Sequence, residues 1–285
     1  METLHTIKAR STTINNLSKA LDAIKMVSSV KLSKVAKTDH CHGGAIAQDS
    51  LSLMLGILCR YVSRFCDIDN DVLHNKMCCG SSLVVVFSSS QGFCGPLNNL
   101  ISNEFKKLRS SLHGDMIVEV CGTKHKQYAS SHIIDIKNMH MIDESVHVVM
   151  DNIRYHVQRG VSSVYIVHAE PRNSLVQVAK TNRLLPFESD PDRSDCNYIA
   201  DNILVEGDPV KMYSDMLNMY MLTSVRSLVH NHVIAELSAR VASLDSSVSN
   251  ANDIYHQLNL QYNKTRQAKI TQELTEIISS MECMG

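Results

Sequence analysis

The segment SSSQGFCGPLNN, residues 88–99, follows a short β-branched run and precedes an apolar stripe at helical spacing. α/β enzymes place phosphate loops and nucleophiles at such strand-to-helix turns. The segment has no Lys followed by Ser or Thr, so it is no P-loop, and Gly92 with Gly95 does not complete G-x-G-x-x-G. Cys94 would need a base beside it to act as a thiolate nucleophile, and no His nearby in sequence offers one. The expected reading is a structural turn at the head of a helix, whose free amides favour anions in any case.

His40, Cys41 and His42 form a compact trio that, with Cys78 and Cys79, has the chemistry to hold a soft metal. Adjacent ligands rarely close a tetrahedral site, and no C-x-x-C occurs, so loop residues without metal are expected. The other His residues, His230 and His232 among them, are scattered and read as solvated or satisfied. Near the C-terminus, YNKTRQAKITQELTEI packs Lys264, Arg266 and Lys269 against Glu273 and Glu276. Such a run is either a solvated helix face laced with i,i+4 pairs, or a set of hydrogen-bonding teeth led by Arg266 and Gln267. Residue chemistry leaves both open.

Bulk properties narrow the classes. Lys plus Arg number 28 against 29 for Asp plus Glu, so no net field draws the chain to nucleic acid or anionic lipid. The odd count of 9 Cys and the charged, polar opening METLHTIKAR favour a reducing cytoplasm over secretion. The apolar runs at residues 51–59 and 83–87 fall well short of the roughly 20 residues that span a bilayer.

Helix breakers set the architecture, because all 5 Pro and every Gly except Gly285 lie between Gly43 and Pro209. Two breaker-free arms therefore flank a punctuated middle. In the first arm Ile7, Ile14 and Leu21 recur every seven residues, with Leu17 and Ile24 interleaved as the expected seam. Gly43 and Gly44 stop it. The second arm opens on Gly207, Asp208 and Pro209, a capping and helix-start order. Val241, Leu244, Val248, Ala251, Tyr255, Leu258 and Tyr262 then alternate as a seam, and the stripe shifts frame at Ile270, Leu274 and Ile277. An unbroken helix here would reach roughly 110 Å. The arms are expected to pair antiparallel, with the longer one overhanging.

The middle alternates strands, SSLVVVFSSS, DMIVEVCG and SVYIVHAE, with helices over residues 97–108 and 141–158, which predicts a parallel sheet covered by helices. The expected segments are an N-terminal shaft helix at 1–42, an α/β domain with a leading helix at 43–206 (core about 75–205), and a C-terminal shaft helix at 207–285.

The C-terminal motif, IKMVSSVKLSK in the first arm, QGFCGPLN, YIVHAEPRNSLVQVAKTNRLLP and VEGDP together resemble the gamma subunit of the F-type rotary ATP synthase, in the family's order and over essentially the whole chain. The resemblance implies an α/β fold class: a long antiparallel coiled coil of the two terminal helices plus a small Rossmann-like α/β domain. It implies a non-catalytic rotor whose coiled coil enters a ring of alpha and beta subunits. The α/β domain would stand near the membrane ring and bind the epsilon subunit. Nucleotide is then bound by partners, with no cofactor on this chain.

By the same resemblance, Arg266 and Gln267 would latch a catch loop of the catalytic subunit, with Thr271 and Gln272 continuing that surface. Lys25, Met26 and Val27 would face the bearing, and Glu206 with Asp208 would form the foot near the membrane ring. Gly92, Cys94, Gly95, Leu97 and Asn98 match the turn after the first strand. The chain departs from the pattern at Ser90-Gln91, where Asp-Arg is usual, at Pro96 for Gly, and at Leu21-Asp22 for Thr-Lys. Glu236 and Arg240 keep the pattern, while Val241 and Leu244 replace Met.

Two other classes share features with this sequence: a structural coiled-coil adaptor, and a small α/β enzyme using Cys94. Beginning directly in a helix, the sequence favours a bacterial origin, with the protein held peripherally on the cytoplasmic face of the inner membrane.

Overall fold

The computed structural model describes residues 3–42, 44–65, 81–112, 114–123, 131–134, 141–173, 176–187 and 205–282. Ten elements follow in order: α1 (Leu4–His42), α2 (Gly44–Phe65), β1 (Ser82–Phe87), α3 (Leu97–Ser111), β2 (Met116–Cys121), β3 (Ser131–Ile134), α4 (Ile142–Gln158), β4 (Ser163–Pro171), β5 (Gln177–Leu185) and α5 (Pro209–Glu282). The chain divides into two compact units, one of Met1–Val30 with Arg240–Gly285, the other of Lys31–Ala239. The three segments expected from helix breakers are divisions by element, whereas these units are divisions by packing, and both long helices contribute to each.

The larger unit is built on a five-stranded sheet in the order β3-β2-β1-β4-β5. β1 pairs in parallel with β2 and β4, and β2 with β3. Every residue of β1 is buried, as befits a central strand with both faces covered. Its Leu83, Val85 and Phe87 share a core with Val146, Val149, Met150 and Ile153 of α4 and with Val225, Val229, Val233 and Leu237 of α5. Val84 and Val86, with Val118 and Val120 of β2, pack on Leu97, Ile101 and Phe105 of α3, joined by Ala235 and Ala239 of α5. One buried carboxylate pins α4 to the sheet: Glu119 of β2 accepts from Asn152 and lies 2.7 Å from His156 Nε2.

The sheet differs from the expected all-parallel arrangement, because β5 runs antiparallel to β4 at one edge. Its sequence QVAKTNRLL carries polar residues on an incompletely covered face, and just before it Arg172 N–H donates to Val176 C=O at 2.9 Å. A half-exposed edge strand lacks the β-branched run that marks a buried one. α2 adds a satellite core in which Leu55, Cys59 and Val62 meet Phe187 and Tyr213.

The smaller unit is two antiparallel helical segments. Ser11 Oγ donates to Asn259 Oδ1 at 3.0 Å, Ser18 Oγ to Asn252 Oδ1 at 2.8 Å, and Lys25 Nζ to Asp245 Oδ1 at 3.1 Å. Each step of seven residues up α1 is answered by a step of seven back along α5. That constancy is the signature of a heptad register. In α5 the buried Leu244, Ala251 and Leu258 fall where the spacing placed them.

In α1 the expected seam needs correction. Ile7 and Leu21 are buried, but Leu17 and Ile24 are 48% and 43% exposed, and the positions facing α5 are taken by Ser11, Ser18 and Ser28. Small hydroxyls there bond across to Asn side chains or back to their own helix, as Ser28 does to Ile24 C=O, so polar groups are satisfied in a narrow seam.

Candidate functional site

In parallel α/β sheets, ligands bind beyond the carboxyl ends of the strands, where the strand order reverses. Here that point lies between β1 and β4, because β2 and β3 lie on one side of β1 and β4 on the other. The loop leaving β1 is fastened on several sides. Ser88 N–H donates to Cys121 C=O at 2.8 Å, and Thr123 N–H to Ser89 C=O at 3.2 Å. The Asn98 side chain accepts Ser89 N–H at 3.0 Å and donates to Ser89 Oγ at 2.8 Å. Gly122 has φ +117°, and a Cβ there would meet Ser88 O at 2.5 Å, so only glycine fits this approach.

Within the loop, Phe93 and Gly95 have φ of 63° and 53°. Cys94 is buried, and its thiol donates to the carbonyls of Gln91 and Gly92 at 3.4 and 3.5 Å. A thiol directed at main-chain carbonyls is placed as a packed side chain in the core that also holds Leu97. Gly92 is exposed, with open space where a Cβ would stand.

α5 itself fills the crevice. His232 is fully buried, its Nδ1 accepts Ala169 N–H from β4 at 3.2 Å, and its ring sits 5.6 Å from Phe87. One helical turn on, Glu236 is also fully buried, and its Oε1 accepts Ser90 Oγ–H at 2.9 Å, Ser90 N–H at 3.2 Å and Gln91 N–H at 3.4 Å. A carboxyl oxygen on this helix thus sits where a bound anion would sit in a nucleotide-binding fold. His168, buried beside His232, has its pKa pushed down to about 4, chiefly by desolvation and next by the neighbouring imidazole. In the sequence His232 is one scattered histidine and Glu236 only a match to the family pattern. Their role depends on contacts 63 and 146 residues away, which leave no local signal.

The other candidate residues are on the outer surface. Arg266, Gln267, Thr271 and Gln272 are all exposed on α5. Arg266 is the next heptad position after Asp245, Asn252 and Asn259, and the register sets it opposite Leu4, where α1 begins. Everything described beyond it is solvent-facing, including Ile270 (44%), Leu274 (55%), Ile277 (51%) and Met281 (70%). Thr271 Oγ1 donates to Gln267 C=O at 3.0 Å, and Gln272 Nε2 to Glu276 at 2.9 Å, while Lys269 pairs with Glu273 at 3.7 Å. Arg266 is exposed on the same stretch of helix.

Lys25, Met26 and Val27 form a separate zone three heptads away, opposite Asp245. Lys25 sits between Asp22 and Asp245, both at 3.1 Å, and hydrogen bonds to them, Asp22 first, raise its pKa. Met26 and Val27 are 61% and 57% exposed. Glu206 and Asp208 belong to the larger unit and are exposed, and Asp208 Oδ1 caps α5 by accepting Val210 N–H at 3.0 Å and Lys211 N–H at 3.4 Å. His40, Cys41 and His42 fall in the last turn of α1, and Cys78 with Cys79 lies outside the described residues. Among the described residues there is no group of three or more His, Cys, Asp or Glu able to hold a metal, and no helix long and apolar enough to cross a membrane.

A family model described as ATP synthase matches residues 3–284. An ATP synthase gamma chain from Geotalea daltonii is 28% identical, with 99% of each chain covered, and one from Clostridium kluyveri is 26% identical over 99% of this chain and 98% of that one. Among solved structures, a rotor chain of the Euglena gracilis mitochondrial ATP synthase superposes with a TM-score of 0.62 at 15% identity, covering 94% of this chain and 98% of that one. A chain from another rotational state of that enzyme gives 0.63 at 17% identity, covering 99% and 94%.

Proposed function

The chain belongs to the ATP synthase gamma-chain family, and from that premise we propose how its parts serve a central-stalk rotor that couples rotation of a membrane ring to ATP synthesis or hydrolysis. It is a non-catalytic subunit, and the chemistry is left to the beta subunits. The observation that carries the reading is the run of exposed apolar residues on α5 beyond the register position of Leu4. Residues 267–282 have no α1 residue opposite them, and at about 1.5 Å per residue they extend roughly 24 Å past it. A lone helix with that much apolar surface is marginal in water, so the bore of an alpha–beta ring is its natural cover.

Within that ring Arg266 and Gln267 act as the latch on a catch loop of a beta subunit, and Thr271 with Gln272 continues the contact. A guanidinium fork grips a carboxylate directionally, which suits a contact that must hold at one angle and release at the next. Lys25, Met26 and Val27 run against the bearing surface of the ring. Glu206 and Asp208 form the foot toward the membrane ring, and the α/β domain binds the epsilon subunit. The chain then works as a peripheral protein on the cytoplasmic face of a bacterial inner membrane, a placement supported by the bacterial origin of its relatives.

Reconstitution with alpha and beta subunits tests the reading. A complex with one copy of this chain per three alpha–beta pairs and ATPase activity is expected, and failure to form it would refute the rotor assignment.

A further inference from the structure

We infer that Glu236 is the positioning residue that fixes the rotational setting of α5 on the sheet domain, so that torque passes between them through its bonds to the β1 loop. The inference rests on the rotor reading. Its ground is the nature of the contact. Where α5 crosses the carboxyl ends of the strands, the residues it adds to the core on the β2 side are Ala235 and Ala239, whose small side chains present little that would obstruct rolling. Val233 and Leu237 enter the core on the α4 side, and on the α3 side directional bonds set the angle. Glu236 Oε1 collects three donors from Ser90 and Gln91, and His232, on the same helical face, takes Ala169 N–H.

The receiving loop is itself held. Asn98 of α3 bonds Ser89 on both its amide atoms, Thr123 reaches Ser89 C=O, and the Gly122 approach leaves no slack against Ser88. Force on Glu236 is thus delivered to β1, β2 and α3 together. A buried carboxyl with fixed donors resists turning in a way an apolar contact does not, because hydrogen bonds weaken steeply off axis.

The test uses the complete complex in membrane vesicles, reading ATP hydrolysis and ATP-driven proton pumping side by side. Glu236→Ala is expected to keep hydrolysis near the parent rate while pumping per ATP falls about tenfold, the scale of losing one or two buried hydrogen bonds. Glu236→Gln, which keeps an acceptor oxygen, should fall between. Val233→Ala, a cavity on the same helix, lowers thermal stability but should leave pumping per ATP unchanged. The inference is overturned if Glu236→Ala pumps like the parent, or if Val233→Ala loses as much coupling. Failure of the parent chain to assemble into an active ATPase would instead strike the rotor reading.

Discussion

Ser18 and Asn252 meet side chain to side chain at 2.8 Å in the middle of the paired helices, at a position where a coiled coil ordinarily seats a leucine. The hydroxyl is buried and the bond is made, so the seam is narrow there because a large residue is absent. Ser18→Leu should overpack it and lower stability by about 1–3 kcal/mol. Leu17→Gln, at a residue 48% exposed, should change stability by no more than about 0.5 kcal/mol. Thermal unfolding of the two variants checks the assignment, and the opposite ranking would restore the apolar seam.

Arg266→Ala should reduce ATP synthesis in energised membranes by about tenfold, the loss expected of a charge-assisted contact. Its effect on unfolding should stay within about 0.5 kcal/mol, since the side chain is exposed. Synthesis at the parent rate would dismiss the latch.

Gly122→Ala should destabilise the sheet domain by at least about 2 kcal/mol, because φ +117° and a Cβ 2.5 Å from Ser88 O are both intolerable for alanine. Gly92→Ala meets open space and serves as the control. Denaturant titration of the two variants is sufficient, and equal midpoints would contradict the described turn.

Acid should weaken the fold in a particular window. His168 has a folded pKa pushed down to about 4 from 6.5, so the unfolded chain takes up a proton that the folded chain refuses. The sign follows: its contribution is fully present above about pH 6.5 and is lost as pH falls from there toward 4, by up to roughly 3 kcal/mol. Replacing it by His168→Gln should flatten the pH dependence of the melting temperature over that interval. An unchanged slope would mean that another group governs it.

Much of this molecule is legible in its residues, for identifiable reasons. The all-buried VVV run of β1, the cap at Asp208 and the Leu244, Ala251, Leu258 repeat are local patterns, and local patterns survive in a linear reading. β5 escaped because an edge strand with one open face carries Lys180, Asn182 and Arg183 where a central strand carries valine. The α1 seam escaped because spacing rules look for apolar residues, whereas Ser11 and Ser18 are placed by asparagines more than two hundred positions away. Glu236 reads only as a residue that keeps the family pattern until the fold brings Ser90 to it. Arg266 remains exposed in the isolated chain, so neither its sequence nor its fold separates a solvated face from a docking tooth.

The matched seven-residue steps of the two helices impose a rule on how this chain can change length. Removing one residue from α5 between Asp245 and Asn259 would swing everything beyond it by about 100° around the axis and draw it back about 1.5 Å. The Asn259 carbonyl would leave Ser11, and the guanidinium would point a quarter-turn away from its former bearing. Away from the docking residues, substitutions on the outer faces leave the register intact, but insertions and deletions there are filtered by phase, and only whole repeats, added to both helices of the pair together, preserve the timing of whatever the tip engages.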